Sequence, residues 1–212
     1  MRPLTSRSVS ALAPALLAVC GLVLAPATAS AATTTTIKMD NSRAYHPSAV
    51  TIALGDSVRW KVKAGTFEQH DVEALKPAKF FDSGPAGGLH AGDKYLVTFA
   101  SAGVYPFVCI EHSGDGMSGV VTVPIRVTRV GTPEKFKITI GSAAIASGQP
   151  WERVVEVDLP TAGTSFVTFK TTRSASVKYT PSATGTYRFR AYLKSTVSTD
   201  RSNPSPYKSI SH

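Results

Sequence analysis

The stretch YPFVCIEHSGDGMSG, residues 105–119, holds Cys109, His112 and Met117 in the spacing C-x2-H-x4-M. A thiolate, an imidazole and a thioether together suit copper that moves between its +1 and +2 states. Both states accept soft and borderline donors arranged as a trigonal set with a weak axial thioether. One tight loop can supply all three, and Gly114, Gly116 and Gly119 offer the backbone freedom to bring Met117 back toward the other two. A Cys-His nucleophile would leave Met117 and the glycines without a role. Zinc would leave the thioether superfluous.

A second imidazole must come from elsewhere. His46, His70, His90 and His212 are the candidates. His70, in FEQHDVEAL, directly precedes a short alternating segment that could face the strand ending at Cys109, and it is the expected partner. His46 precedes Pro47 in a turn-like segment, and His90 sits in a glycine-rich loop, so both read as surface histidines. No His-x-His pair is present, and the ligand loop holds one cysteine, so neither an oxygen- or nitrite-reducing centre nor a binuclear copper centre is expected.

The elements that must position these residues lie within a chain of 212 residues, enough for one large or two small domains. Arg2 and Arg7, an uncharged Ala/Leu/Val run and the small residues Ala29-Ser30-Ala31 form the three-part layout of a secretory signal over residues 1–31. Cleavage near Ala31 is expected, giving a secreted or envelope-associated chain with no membrane span in its mature form. The bulky Val19 before Cys20 argues against a lipid-anchored cysteine. Cys109 is then the sole cysteine, so it is either buried and inert or occupied.

Residues 32–123 read as all-β. AVTIAL and SVRWKVK are joined at Gly55-Asp56, KYLVTF and GVYPFVC lie around Gly103, and GVVTV closes the set. From Pro124 the pattern restarts with IRVTRV, EKFKITIG, WERVVEVDL, SFVTFKTT, ASVKYT, TYRFRAYLK and YKSI, which predicts a second β-sandwich over residues 124–212. The near absence of a linker predicts two sandwiches stacked with little freedom. Charge divides at the same place: residues 32–123 carry 8 Lys/Arg against 9 Asp/Glu, and residues 124–212 carry 13 against 5. The basic surplus would attract an anionic envelope polymer, or would simply wet the outer strand faces. Nucleic acid is not expected, because no recognised motif for it is present.

GDSVRW, QHDV, FDSG and AGDKYLVTFASAGVYPFVCIEHSGDGMSGVVTV resemble a cupredoxin of the plastocyanin, pseudoazurin and amicyanin kind, over residues 34–123. The resemblance implies a Greek-key sandwich holding one type 1 copper ion through His70, Cys109 and His112, with Met117 axial. It implies a blue copper protein that passes single electrons, is not itself an enzyme, and uses the exposed imidazole edge of His112 as its exit toward a redox partner protein. Two departures stand out. Asp71 occupies a place where that family often has Asn, and Trp60-Lys61-Val62 replaces a frequent W-x-N, which puts the bonds around the sulfur in question. Glu68, Asp71, Glu73, Glu111 and Asp115 flank the ligands; facing the metal end, they would favour Cu(II) and lower the potential.

The second half resembles a fibronectin type III or immunoglobulin-like domain, with Trp151 and Tyr187 as expected core aromatics. Such a module would tether or dock the copper domain. The rival readings are copper sequestration or delivery without electron transfer, and a structural adhesion role. Copper(I) carriers tend toward Met or Cys clusters, and the chain has only three methionines, one of them the initiator.

Overall fold

Alternating inward and outward side chains build the sheets. In the strand Ser57–Val62 the side chains of Val58, Trp60 and Val62 are buried while Lys61 is exposed, the two-residue period of a strand with one face on a core. The computed structural model describes residues 31–75, 80–161, 163 and 165–212. The signal segment, apart from Ala31, and Cys20 lie outside them.

The strands of the first half are β1 Thr34–Met39, β2 Tyr45–His46, β3 Ala49–Thr51, β4 Ser57–Val62, β5 Glu73–Ala74, β6 Lys94–Thr98, β7 Gly103–Val108 and β8 Ser118–Val123. They form two sheets of order β2-β1-β4-β6 and β3-β8-β7-β5. β1 runs parallel to β4 and β3 parallel to β8, and the other pairings are antiparallel. The turns at Gly55-Asp56 and Gly103 therefore do not close hairpins: β3 and β4, and likewise β6 and β7, belong to opposite sheets. An alternating strand looks the same in sequence whether its neighbour pairs with it or crosses to the facing sheet. Between the sheets lie Tyr45, Trp60, Phe81, Phe99, Tyr105 and Phe107 with Ile37, Met39 and Val121. Phe107 meets Tyr45 and Trp60 edge-on at 4.8 and 5.2 Å, contacts worth about 0.5–1.5 kcal/mol each beyond the area they bury.

The second half holds β9 Arg126–Val130, β10 Lys135–Thr139, β11 Trp151–Asp158, β12 Val167–Thr172, β13 Ser176–Tyr179, β14 Thr186–Ser195 and β15 Lys208–Ser211. Its sheets have the orders β13-β10-β9 and β12-β11-β14-β15, and Phe136, Ile138, Val155, Tyr187 and Phe189 fill the space between them. Tyr187 is a core aromatic, as its position predicts. Trp151 is not in that core: it is partly buried and its ring lies 4.9 Å from Phe80 of the first half.

Ala32–His212 form one compact unit, and a bonded seam joins the two cores. Val104 and Asn203 exchange backbone hydrogen bonds of 2.9 and 3.2 Å, Ala102 N donates to Ile140 O, and Ser142 N donates to Ala100 O. Arg153 on β11 is 2% exposed. Its guanidinium donates to Ser101 Oγ and Ala100 O of the first half and to Arg173 O and Ser174 O of the second. Gly141 gives it room, since a Cβ there would lie within 2.4 Å of Arg153 Cζ. The seam gathers at the start of β7, whose other end leads into Cys109.

Candidate metal centre

Three donors converge where β7 ends. One ligand atom each from His70, Cys109 and His112 lie within 4.8 Å of one another, and all three residues are buried. His70 is held by a two-bond bridge to Leu89, its N–H donating to Leu89 O at 3.0 Å and its carbonyl accepting from Leu89 N at 2.7 Å. Cys109 and His112 sit on the loop between β7 and β8. Cys109 N donates to Met117 O at 3.0 Å, and Met117 N donates to His112 O at 3.3 Å, which folds the loop back on itself. A single 3-10 turn, Ser113–Asp115, fills the gap and ends at Gly116 with φ 78°. Of the three loop glycines only Gly116 needs positive φ. Gly119 is required for space instead, because a Cβ there would meet the Phe107 ring at 2.4 Å and Ser48 O at 2.5 Å. Gly114 meets neither demand. Met117 is 2% exposed.

The other histidines are not brought here. His46 is exposed on β2 with Nε2 against Ser42 Oγ, His90 is exposed, and His212 pairs with Glu134.

The donor set fits a metal. Both ring nitrogens of His70 are buried and lack a well-formed hydrogen bond, with only the Asp40 backbone close to one of them. Leaving such a group unpaired costs about 1–3 kcal/mol, so native interiors rarely hold one without a ligand or ion to meet it. Burial, with His112 beside it, holds the His70 imidazole below its usual pKa, which keeps a ring nitrogen lone pair free to bind. The Cys109 thiol is pushed up to about 12, first by burial and then by its bond to Asp71, so an ion that displaces the proton is what would make it a thiolate.

Asp71 accounts for the change from the amide. It is 1% exposed. Its carboxylate accepts from Ile110 N at 2.9 Å and Glu111 N at 3.2 Å, while Cys109 Sγ donates to it at 3.0 Å. Asp71 N in turn donates to Sγ at 3.4 Å. A side chain that can only accept still ties the two ligand loops together, because the donors come from backbone N–H groups. Tyr45 secures the same residue by donating its hydroxyl to Asp71 O at 2.6 Å.

The imidazole edge of His112 is not open to solvent as expected. The residue is 5% exposed, and Glu68 Oε2 lies 3.2 Å from its Nε2. Glu68 is in turn gripped by Arg43, which also reaches Asp115 at 3.1 Å. The Arg43 guanidinium holds the Glu68 carboxyl below its usual range. Arg43 spans both ligand loops from outside, and sequence reasoning missed it. It adopts φ 53°, a conformation no pattern marks at an arginine. Of the flanking acids, Glu68 and Asp71 touch ligands and Asp115 faces Arg43, whereas Glu111 is exposed.

A β-sandwich with a buried Cys-His-His cluster at one end is the arrangement of a cupredoxin, and comparison with known proteins agrees. Residues 31–124 match the family model of copper binding proteins, plastocyanin/azurin family. Plastocyanin A/B of Petroselinum crispum is 36% identical over 89 residues, covering 40% of this chain and 91% of that protein. Plastocyanin of Prochlorothrix hollandica is 34% identical over 120 residues, covering 50% and 84%. Among solved structures, a purple cupredoxin from Nitrosopumilus maritimus is 25% identical and aligns over 42% of this chain and 97% of its own, with a TM-score of 0.36. The chain belongs to the plastocyanin/azurin family of copper-binding proteins, and copper is its cofactor.

Proposed function

We propose that this is an exported blue copper protein that passes single electrons, with His70, Cys109 and His112 as the principal copper ligands and Met117 as the axial one. The observation that carries the reading is fully buried His70, one of whose ring nitrogens meets a thiol and a second imidazole without a well-formed hydrogen bond of its own. Bound copper would supply one-electron exchange between its two oxidation states.

The protein's own residues supply constancy around that exchange. The Met117 backbone bonds fix the ligand loop, Asp71 locks it to the His70 loop, and Arg43 with Glu68 clamps both from outside. Burial of Cys109 and His70 at 0% exposure keeps water and substrate from the donors, which suits a carrier and not an enzyme. His112 is the ligand nearest the surface, so electron exchange with a redox partner protein would run through its edge and the Glu68 carboxylate over it. The second sandwich, of fibronectin type III-like or immunoglobulin-like character, would dock the copper domain to an anionic envelope polymer.

The test is the visible spectrum of the mature protein with Cu(II), then ascorbate, then ferricyanide. An intense band at roughly 600 nm, as a copper-thiolate gives, should bleach and return. A band that bleaches while copper leaves would support sequestration or delivery instead. Cys109→Ser should remove the band and keep the melting transition of the metal-free fold; a retained band would sink the ligand assignment.

A further inference from the structure

The basic surplus of the second half is not spread evenly over its two sheets. On the outer face of the four-stranded sheet, Arg188 pairs with Asp158, Arg190 with Glu156 and Lys194 with Glu152. The three cations of β14 each have their own acid, while among the described residues Lys170 and Lys208 stand singly on the flanking strands. The three-stranded sheet differs. Its register pairs Lys137 with Thr128 of β9 and Lys178 of β13, Lys135 with Val130, and Thr139 with Arg126 and Ser176. Phe136 and Ile138 point to the core, so the side chains alternating with them share the outer face: Arg126, Lys135, Lys137 and Lys178. None of the four has an ion pair among the described residues, and no acidic residue lies in those three strands.

Lys137 and Lys178 stand directly opposite each other. Like charges in that position destabilise a sheet, and here no acid offsets them. We propose that this face is the docking surface for an anionic polymer with repeating phosphate or carboxylate groups. The proposal rests on the docking role suggested above and deepens it by naming the surface. Lys137 and Lys178 are neighbours at about 4.8 Å across strands, and Lys135 and Lys137 at about 6.7 Å along one, a row of cations that a linear polyanion can follow. No aromatic side chain stands on this outer face to insert among lipids, which favours a polymer over a bilayer.

The full mature chain is titrated with inorganic polyphosphate and, separately, with vesicles of phosphatidylcholine mixed with phosphatidylglycerol. Lys137→Gln/Lys178→Gln should weaken polyphosphate binding roughly 30-fold, from the usual contribution of a lysine at an anionic surface. It should also lower the slope of log affinity against log salt by about 1.4. Lys170→Gln/Lys208→Gln, an equal change of net charge on exposed lysines of the other sheet, should cost less than about 3-fold. Equal losses from both pairs would overturn the assignment in favour of diffuse net charge, while leaving a docking role intact. Binding to vesicles alone would overturn it in favour of a lipid surface. Failure of the unsubstituted chain to bind either probe would overturn the docking role itself.

Discussion

Replacing Asp71 by Asn tests whether the buried carboxylate sets the electronic balance of the site. The carboxylate oxygen lies 3.0 Å from Cys109 Sγ. A metal bonded to that sulfur lies at most one bond of about 2.3 Å beyond, so the charge acts on it over roughly 5 Å. With an effective dielectric constant of about 20, its interaction with the single unit of charge that distinguishes Cu(II) from Cu(I) is about 3 kcal/mol. At about 1.36 kcal/mol per tenfold and about 59 mV per tenfold for a one-electron couple, that amounts to about 140 mV. Asp71→Asn should therefore raise the reduction potential by about 100–140 mV, read by voltammetry of the copper-loaded protein. The Asn carbonyl can still accept from Ile110 N, so the loops should stay tied. An unchanged thermal transition of the metal-free chain would check this. A shift under about 30 mV, or a fall, in a variant whose blue band is intact would refute the electrostatic account.

Three further outcomes are expected. Met117→Leu should retain copper and shift the potential upward; loss of all copper from a folded variant would remove Met117 from the axial role. Gly119→Ala should destabilise the chain by about 1–3 kcal/mol in urea unfolding, because the new Cβ is driven into the Phe107 ring and Ser48 O. Arg153→Met should cost about 1–3 kcal/mol by the same assay, since it strips the buried Ser101 Oγ and the Ala100, Arg173 and Ser174 carbonyls of their shared donor; a cost below about 0.5 kcal/mol would mean water replaces the guanidinium with ease.

Cys109, His112 and Met117 stand out in the sequence because nine consecutive residues hold them and their chemistry is unusual as a set, and the structure gathers His70, Cys109 and His112 into one cluster. His70 was legible from its position before a short strand. Strand content was equally plain, since alternation is a local property. What joins distant segments was not. The sequence does not mark that β3 and β4 separate into different sheets, that Trp151 leaves its own core for Phe80, or that Arg153 threads under Gly141 to reach two loops. Arg43 was hidden for the same reason: its meaning lies in Glu68 and Asp115, 25 and 72 residues away. The covered edge of His112 follows from that contact, and no residue near His112 in the chain announces it.

The seam also governs how the molecule would meet a partner. β7 starts within the seam and spans about 20 Å before delivering its last residue to the ligand loop. A flexible linker would let a docked copper domain tumble and present any side. The backbone bonds at Ala102 and Val104 and the Arg153 bridge instead make the second sandwich a handle fixed to one end of the first. Fastening that handle would orient the redox end as a weathervane is oriented by its shaft, so a diffusing partner would find the His112 side at a constant angle and standoff.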